Sequence, residues 1–126
     1  KQLIASIWSF NLKIVSDSIP TISDWVKAID SILKSTDLIW SDTNKKGKPR
    51  TRNCRQELRE LYIKNDTSNI KVMEPLQELR LHLNAYIDPL GRSIKPLHIK
   101  FWLEQYLEQS LEISRVQRDE IQLIQC

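Results

Sequence analysis

Glycine and cysteine are scarce in this chain of 126 residues, two of each, and both shortages exclude chemistry. Two glycines cannot build a glycine-rich phosphate loop, where the backbone must approach the ligand at several points. Cys54 and Cys126 form no CxxC pair and no Cys/His cluster, which argues against a protein-held zinc or iron–sulfur site. Two lone cysteines fit a reducing compartment better than a disulfide framework. The two histidines, His82 and His98, have no Ser, Cys or Asp at a spacing that suggests a catalytic pair. No apolar run approaches the roughly 18–20 residues of a membrane span, and no signal-peptide pattern is present. The chain starts at Lys1 without Met and is read as one domain, 1–126, cut from a longer protein.

What the sequence does hold is concentrated charge. The stretch KKGKPRTRNCR, residues 45–55, packs Lys45, Lys46, Lys48, Arg50, Arg52 and Arg55 around one of the two glycines. The window 45–59 carries a net charge of +6, and the rest of the chain carries −3. Such segregation speaks of partners and solubility, not of fold. The aromatic residues are not interleaved with these charges, so an RNA reader of the base-stacking type is not indicated.

Hydrophobic periodicity gives the elements. Residues 7–15 alternate, with Trp8, Phe10, Leu12 and Ile14 on one face and Ser9, Asn11 and Lys13 on the other, as in a half-buried strand. Thr21 with Asp24 caps a helix whose stripe is Ile22, Trp25, Val26, Ile29, Ile32 and Leu33. Residues 37–44 read as the second strand, and Lys46-Gly47-Lys48-Pro49 as a turn. Residues 54–61 fit either helical turns or the lead into a strand. The clusters 65–69, which include the glycosylation-like tripeptide Asn65-Asp66-Thr67, and 88–92 read as turns, and 70–75 as a short strand or loop. Residues 76–88 alternate strongly. Ser93 is the expected cap of a second helix with Pro96 in its first turn and Ile99, Trp102, Leu103, Tyr106 and Leu107 inward. Residues 111–116 and 121–125 have strand character, with Asp119 and Glu120 solvated in a turn between them. All four tryptophans are read as core. The order predicts an α+β, ferredoxin-like split β-α-β sandwich. It has an antiparallel sheet with two helices on one face and a basic hairpin or loop inserted after the second strand.

Three segments in order carry a family likeness. KKGKPRTRNCRQELREL resembles the K-G-K-x-R…D-x-R-P…L signature of a bacterial radical-SAM-linked domain of unknown function. IDPLGRSIKPLHIKFWL resembles its later G-x-x-R-P-x-x-L-L segment, and LEISRVQRDEIQL its closing strand with a central Arg. The likeness spans nearly all of the chain and corresponds to the C-terminal half of that domain. Asn53 stands where the family has Asp, Gln56 where it has Pro, and Lys95 where it has Arg. The family is found fused to, or encoded beside, radical SAM proteins with a cobalamin-binding (B12-like) N-terminal domain. The resemblance therefore implies a cytoplasmic accessory domain whose partner is a radical SAM catalytic domain, in cis or in trans. An iron–sulfur cluster and S-adenosylmethionine are expected in that parent or partner, and no cofactor in this chain.

Three readings of the basic segment stand side by side. It is a solvated loop, a phosphate-contacting loop, or a docking element for an acidic face of the catalytic core. Under the second, Lys45, Lys46, Lys48, Arg50 and Arg52 contact an anionic substrate, RNA first, because each phosphate neutralised releases counterions. Arg55 recurs in the family pattern, and with Arg92 and Arg115 it would converge on an anion site. Its simpler role is to bond carbonyls or an acid such as Asp42. The function read is a non-catalytic accessory domain. The alternative is a protein-docking module without nucleic-acid contact, and a small hydrolase or nuclease is the third class.

Overall fold

The computed structural model describes residues 2–65, 71 and 73–125. The apolar stripes expected of the two central strands are buried, and Ser9, Asn11 and Asn84 of the opposite polar face are buried as well. In β1 (Gln2–Ile14) Phe10, Leu12 and Ile14 are fully buried, and in β5 (Glu78–Ile87) Leu79, Leu81, Leu83 and Ala85 are. The two pair antiparallel from Ile4 opposite Ile87 to Lys13 opposite Glu78, which brings the buried sets together on one face. The helix α1 (Ile22–Lys34) opens on the expected capping box. Thr21 Oγ1 accepts the Asp24 N–H at 3.2 Å, and Asp24 Oδ2 accepts the Thr21 N–H at 3.0 Å. These bonds satisfy backbone donors that a helix start leaves open. The second helix, α2 (Pro96–Leu107), buries Ile99, Trp102 and Leu103. Both helices close the same core over the sheet.

The sheet order is β4-β5-β1-β6, all neighbours antiparallel, with β4 at Leu58–Ile63 and β6 at Leu111–Gln125. This is the ferredoxin-like α+β sandwich. Strand assignments differ from the sequence reading in two places. Residues 37–44 do not enter the sheet. Their strand β2 (Ile39–Thr43) pairs only with β3 (Pro49–Asn53), as a separate two-stranded ribbon. The insertion therefore precedes the second sheet strand, which is β4. The physical reason is burial. No residue of β2 is fully buried, whereas β4 buries Leu58 and Leu61. The three-residue spacing of those leucines looked helical because a bulge at Arg59 shifts the register between Leu58 and Glu60. Residues Arg55–Glu57 form a single 3-10 turn ahead of it.

The closing segment is one strand, not two. Asp119 lies in β6, and its Oδ2 accepts from Ser9 Oγ at 3.2 Å. Two register shifts against β1 and a left-handed Arg115 (φ 49°) break the alternation that would have announced a continuous strand. Ser93 does not cap α2. Its hydroxyl donates to the Tyr86 carbonyl at 2.8 Å, and Lys95 is the N-cap. Of the tryptophans, Trp25 and Trp102 are the buried pair, each with its indole N–H on a carbonyl, Leu76 at 2.8 Å and Ile39 at 2.9 Å. Trp8 and Trp40 only lean on the core. Cys126 and residues 66–70 and 72 of the two segments read over 65–75 lie outside the described residues. Among the described residues no helix is long and apolar enough to cross a membrane.

Candidate anion-binding cleft

Two turns of the same construction close the ribbon and lead into the α2 approach. At the ribbon tip, Asn44 Oδ1 accepts the N–H groups of Lys46 (2.9 Å) and Lys48 (3.0 Å), the Gly47 N–H returns to Asn44 O, and Gly47 takes φ 78°. After β5, Asp88 Oδ1 accepts the N–H groups of Leu90 (3.0 Å) and Arg92 (2.7 Å), the Gly91 N–H returns to Asp88 O, and Gly91 takes φ 80°. Each is an Asx-anchored turn with glycine in the left-handed position. Each delivers a basic residue four places after its anchor, Lys48 or Arg92. Both of the chain's glycines stand in these turns, at the positions that require positive φ.

Between the ribbon and the Gly91–Lys95 segment lies a cleft of about 330 Å³. Its charged and aromatic lining is Trp40, Asp42, Arg50, Arg52, Arg92, Lys95 and His98. Each arginine is held by an acid. Asp42 takes Arg50 through two bonds, 2.6 Å from Nε and 3.1 Å from Nη2. Arg52 Nη1 donates to Glu57, and Arg92 Nε donates to Asp88 Oδ2 at 2.7 Å. The hydrogen bond from Arg50 holds the Asp42 carboxyl below its usual range. Burial pushes the Asp88 carboxyl up, but the Arg92 N–H and guanidinium more than offset this and hold it low as well. The Lys95 ammonium has no ion-pair partner among the described residues.

His98 is fixed from two sides. Its Nδ1 accepts the Lys95 backbone N–H at 2.9 Å, and its ring meets the Trp40 ring edge-on at 4.5 Å. Burial, with Arg52 and Lys95 nearby, lowers its pKa from the ordinary 6.5 to about 4. It is therefore neutral at pH 7, and with Nδ1 an acceptor the proton sits on Nε2. Trp40 is locked between His98 and Phe101, whose rings are both nearly perpendicular to it.

The sequence-picked residues divide cleanly. Arg50, Arg52 and Arg92 meet in the cleft. Lys45, Lys46 and Arg50 border a shallower recess at the ribbon tip, and Lys48 closes the tip turn. The expected convergence of Arg55, Arg92 and Arg115 does not form. Arg55 Nε and Nη2 donate to the carbonyls of Ser35 (2.8 Å) and Leu33 (3.0 Å), completing the C-terminus of α1, the simpler role foreseen for it. Arg115 lies on β6, where its carbonyl accepts from Arg80 at 3.1 Å. Asn53 serves structure. Its Oδ1 accepts the N–H groups of Leu38 and Arg55 at 3.0 and 3.1 Å, a role Asp can fill, while its Nδ2 donates to Asp37 Oδ1 at 2.7 Å, which Asp cannot. Trp40, Lys95 and His98 were missed as site residues. For Lys95 there was a signal, its place in the G-x-x-R-P-like segment.

Cys54 is buried and its thiol is pushed up to about 11 by burial, against the thiolate a cluster needs. No group of three metal-ligating side chains occurs among the described residues. Comparison with protein families, curated proteins and solved structures gave no match.

Proposed function

We propose that this chain is a non-catalytic accessory domain of a cytoplasmic radical SAM protein, and that it presents the β2–β3 ribbon and its cleft to an anionic substrate, RNA first. The observation that carries the reading is the meeting of Arg50 and Arg52 from the ribbon with Arg92 and Lys95 from the α2 approach. Four cations from two distant segments fit phosphate oxygens better than they fit a merely solvated loop. Lys45, Lys46 and Lys48 at the exposed tip extend the positive surface. The radical SAM link rests on the sequence resemblance, and the cluster belongs to the parent or partner.

The second reading is a module that docks on the catalytic core without nucleic acid. It draws on Val116, Ile121 and Leu123, exposed along the edge strand β6. Salt separates the two. Fluorescence anisotropy of labelled single-stranded RNA should give micromolar binding. With about four to six phosphates contacted, the log–log salt slope should be about −3 to −4. The Lys48→Glu/Arg50→Glu/Arg52→Glu variant should abolish it. A Lys45→Gln/Lys46→Gln/Lys48→Gln variant, which touches no packed residue, should flatten the slope by about 2 with the melting temperature unchanged. No binding at low salt would sink the RNA reading and send the search to the catalytic core.

A further inference from the structure

Resting on that reading, we infer that the cleft seats the end of a nucleic-acid strand, holding a terminal phosphomonoester among Arg52, Arg92 and Lys95 with the last base against Trp40.

Size is the first argument. A cleft of about 330 Å³ is at the small-ligand end of binding sites. It accommodates one nucleotide and has no room for a duplex or a run of stacked bases. The tip lysines lie outside it, where a continuing backbone would pass.

The donor count is the second. An internal phosphodiester offers one charge and two free oxygens. A phosphomonoester offers a charge of about −1.5 to −2 and three strong acceptors. Arg92 commits only Nε to Asp88, and both its Nη groups remain to donate. Arg52 commits only Nη1 to Glu57. Lys95 has no acidic partner among the described residues, and His98, also in the lining, has Nδ1 taken by the Lys95 N–H and its Nε2–H left over. That is more than a diester can use. Asp42 is the one acid of the lining, and it is already taken by Arg50 in a two-point pair.

Preorganisation is the third. Glu57 and Asp88 hold their arginines from outside the lining, so less side-chain freedom is lost when an anion arrives. Trp40, part of the cleft lining, is held by two perpendicular rings and by its indole N–H on Asp42 Oδ2 at 3.4 Å, so it loses little freedom when a base comes against it.

The test uses one single-stranded RNA of about six nucleotides in three forms: 5′-phosphate, 3′-phosphate, and hydroxyl at both ends. Adenosine monophosphate serves as competitor. Two charge-assisted hydrogen bonds more should make one phosphorylated form bind about tenfold tighter than the hydroxyl form, or better. Arg92→Gln/Lys95→Gln should erase that ratio and leave residual binding. The Lys45→Gln/Lys46→Gln/Lys48→Gln variant should weaken all forms by one common factor and leave the ratio intact. Circular dichroism melts confirm that both variants fold. Equal affinity for all three forms overturns the inference and leaves the proposed function standing. Adenosine monophosphate competing as well as the phosphorylated strand overturns the strand-end assignment and makes the ligand a free nucleotide. Absence of RNA binding in every form overturns the proposed function as well.

Discussion

His98 accepts a backbone N–H and is shielded from water, so its protonated form is disfavoured in the folded chain. The unfolded chain binds that proton near pH 6.5 and the folded chain only near 4. Stability contributed by neutral His98 is therefore complete above pH 6.5 and is lost as pH falls from 6.5 to 4, by on the order of 3 kcal/mol. Asp24, Asp42 and Asp88 are lowered below 3.8 and act at lower pH than this window. His98→Asn keeps an acceptor for the Lys95 N–H and removes the titration. Urea unfolding of that variant should show a flat profile between pH 6.5 and 4.5, where the parent chain slopes. Arg55 makes the opposite case, a cation whose task is structural. Arg55→Lys cannot reach two carbonyls with one fork, and it should lose about 1.5–3 kcal/mol with RNA affinity unchanged. Cys54 should resist alkylation at pH 8 in a Cys126→Ser background and react only on unfolding, as a thiol pushed to about 11 requires. Trp40 and His98 escaped sequence reading for one reason. Their partners come from segments far away along the chain, and local pattern carries no word of them.

At the scale of elements, burial decides what a sequence can announce. β1, β5 and α1 each set an apolar stripe against a polar one, and their periods stand in the sequence, even though Ser9 and Asn11 of β1 and Asn84 of β5 are themselves buried. β3 buries no residue at all and so has no alternation to show. It was legible only as part of a turn-bearing basic segment. β6 hid its continuity behind two register shifts. The twin turns were legible as turns, but not as equivalents, because equivalence lies in where Asn44 and Asp88 aim one oxygen. At each, the cost of replacing glycine is conformational, since an added Cβ at Gly47 or Gly91 meets nothing within 4 Å. Gly47→Ala and Gly91→Ala should each cost about 1 kcal/mol. The Gly47 penalty should appear as faster amide exchange confined to the ribbon. The Gly91 penalty should also weaken RNA binding through Arg92.

For the molecule as a whole, the α+β class was legible from the alternation of strands and helices, but the strand that closes the first β-α-β unit is β4 and not residues 37–44, because the ribbon is inserted between α1 and β4. The site was not legible, since it joins the insertion to the second unit. That insertion is attached narrowly. The Cys54 N–H donates to the Leu38 carbonyl at 2.7 Å, so the chain leaves the sandwich and re-enters it at nearly one point. Trp40 and Arg52 face each other across the ribbon. Excising 41–51 and joining them through Asn-Gly, a two-residue hairpin turn, should leave the far-ultraviolet spectrum intact and move the melting temperature by only a few degrees. RNA binding should vanish. A ribbon rooted in this way is also a ruler. Two residues added to each strand carry the lysines about 7 Å further out and keep them on the same side. One residue added to each turns every side chain over to the opposite side. The distance from cleft to tip can thus be reset in fixed steps while the sandwich beneath stays as it is.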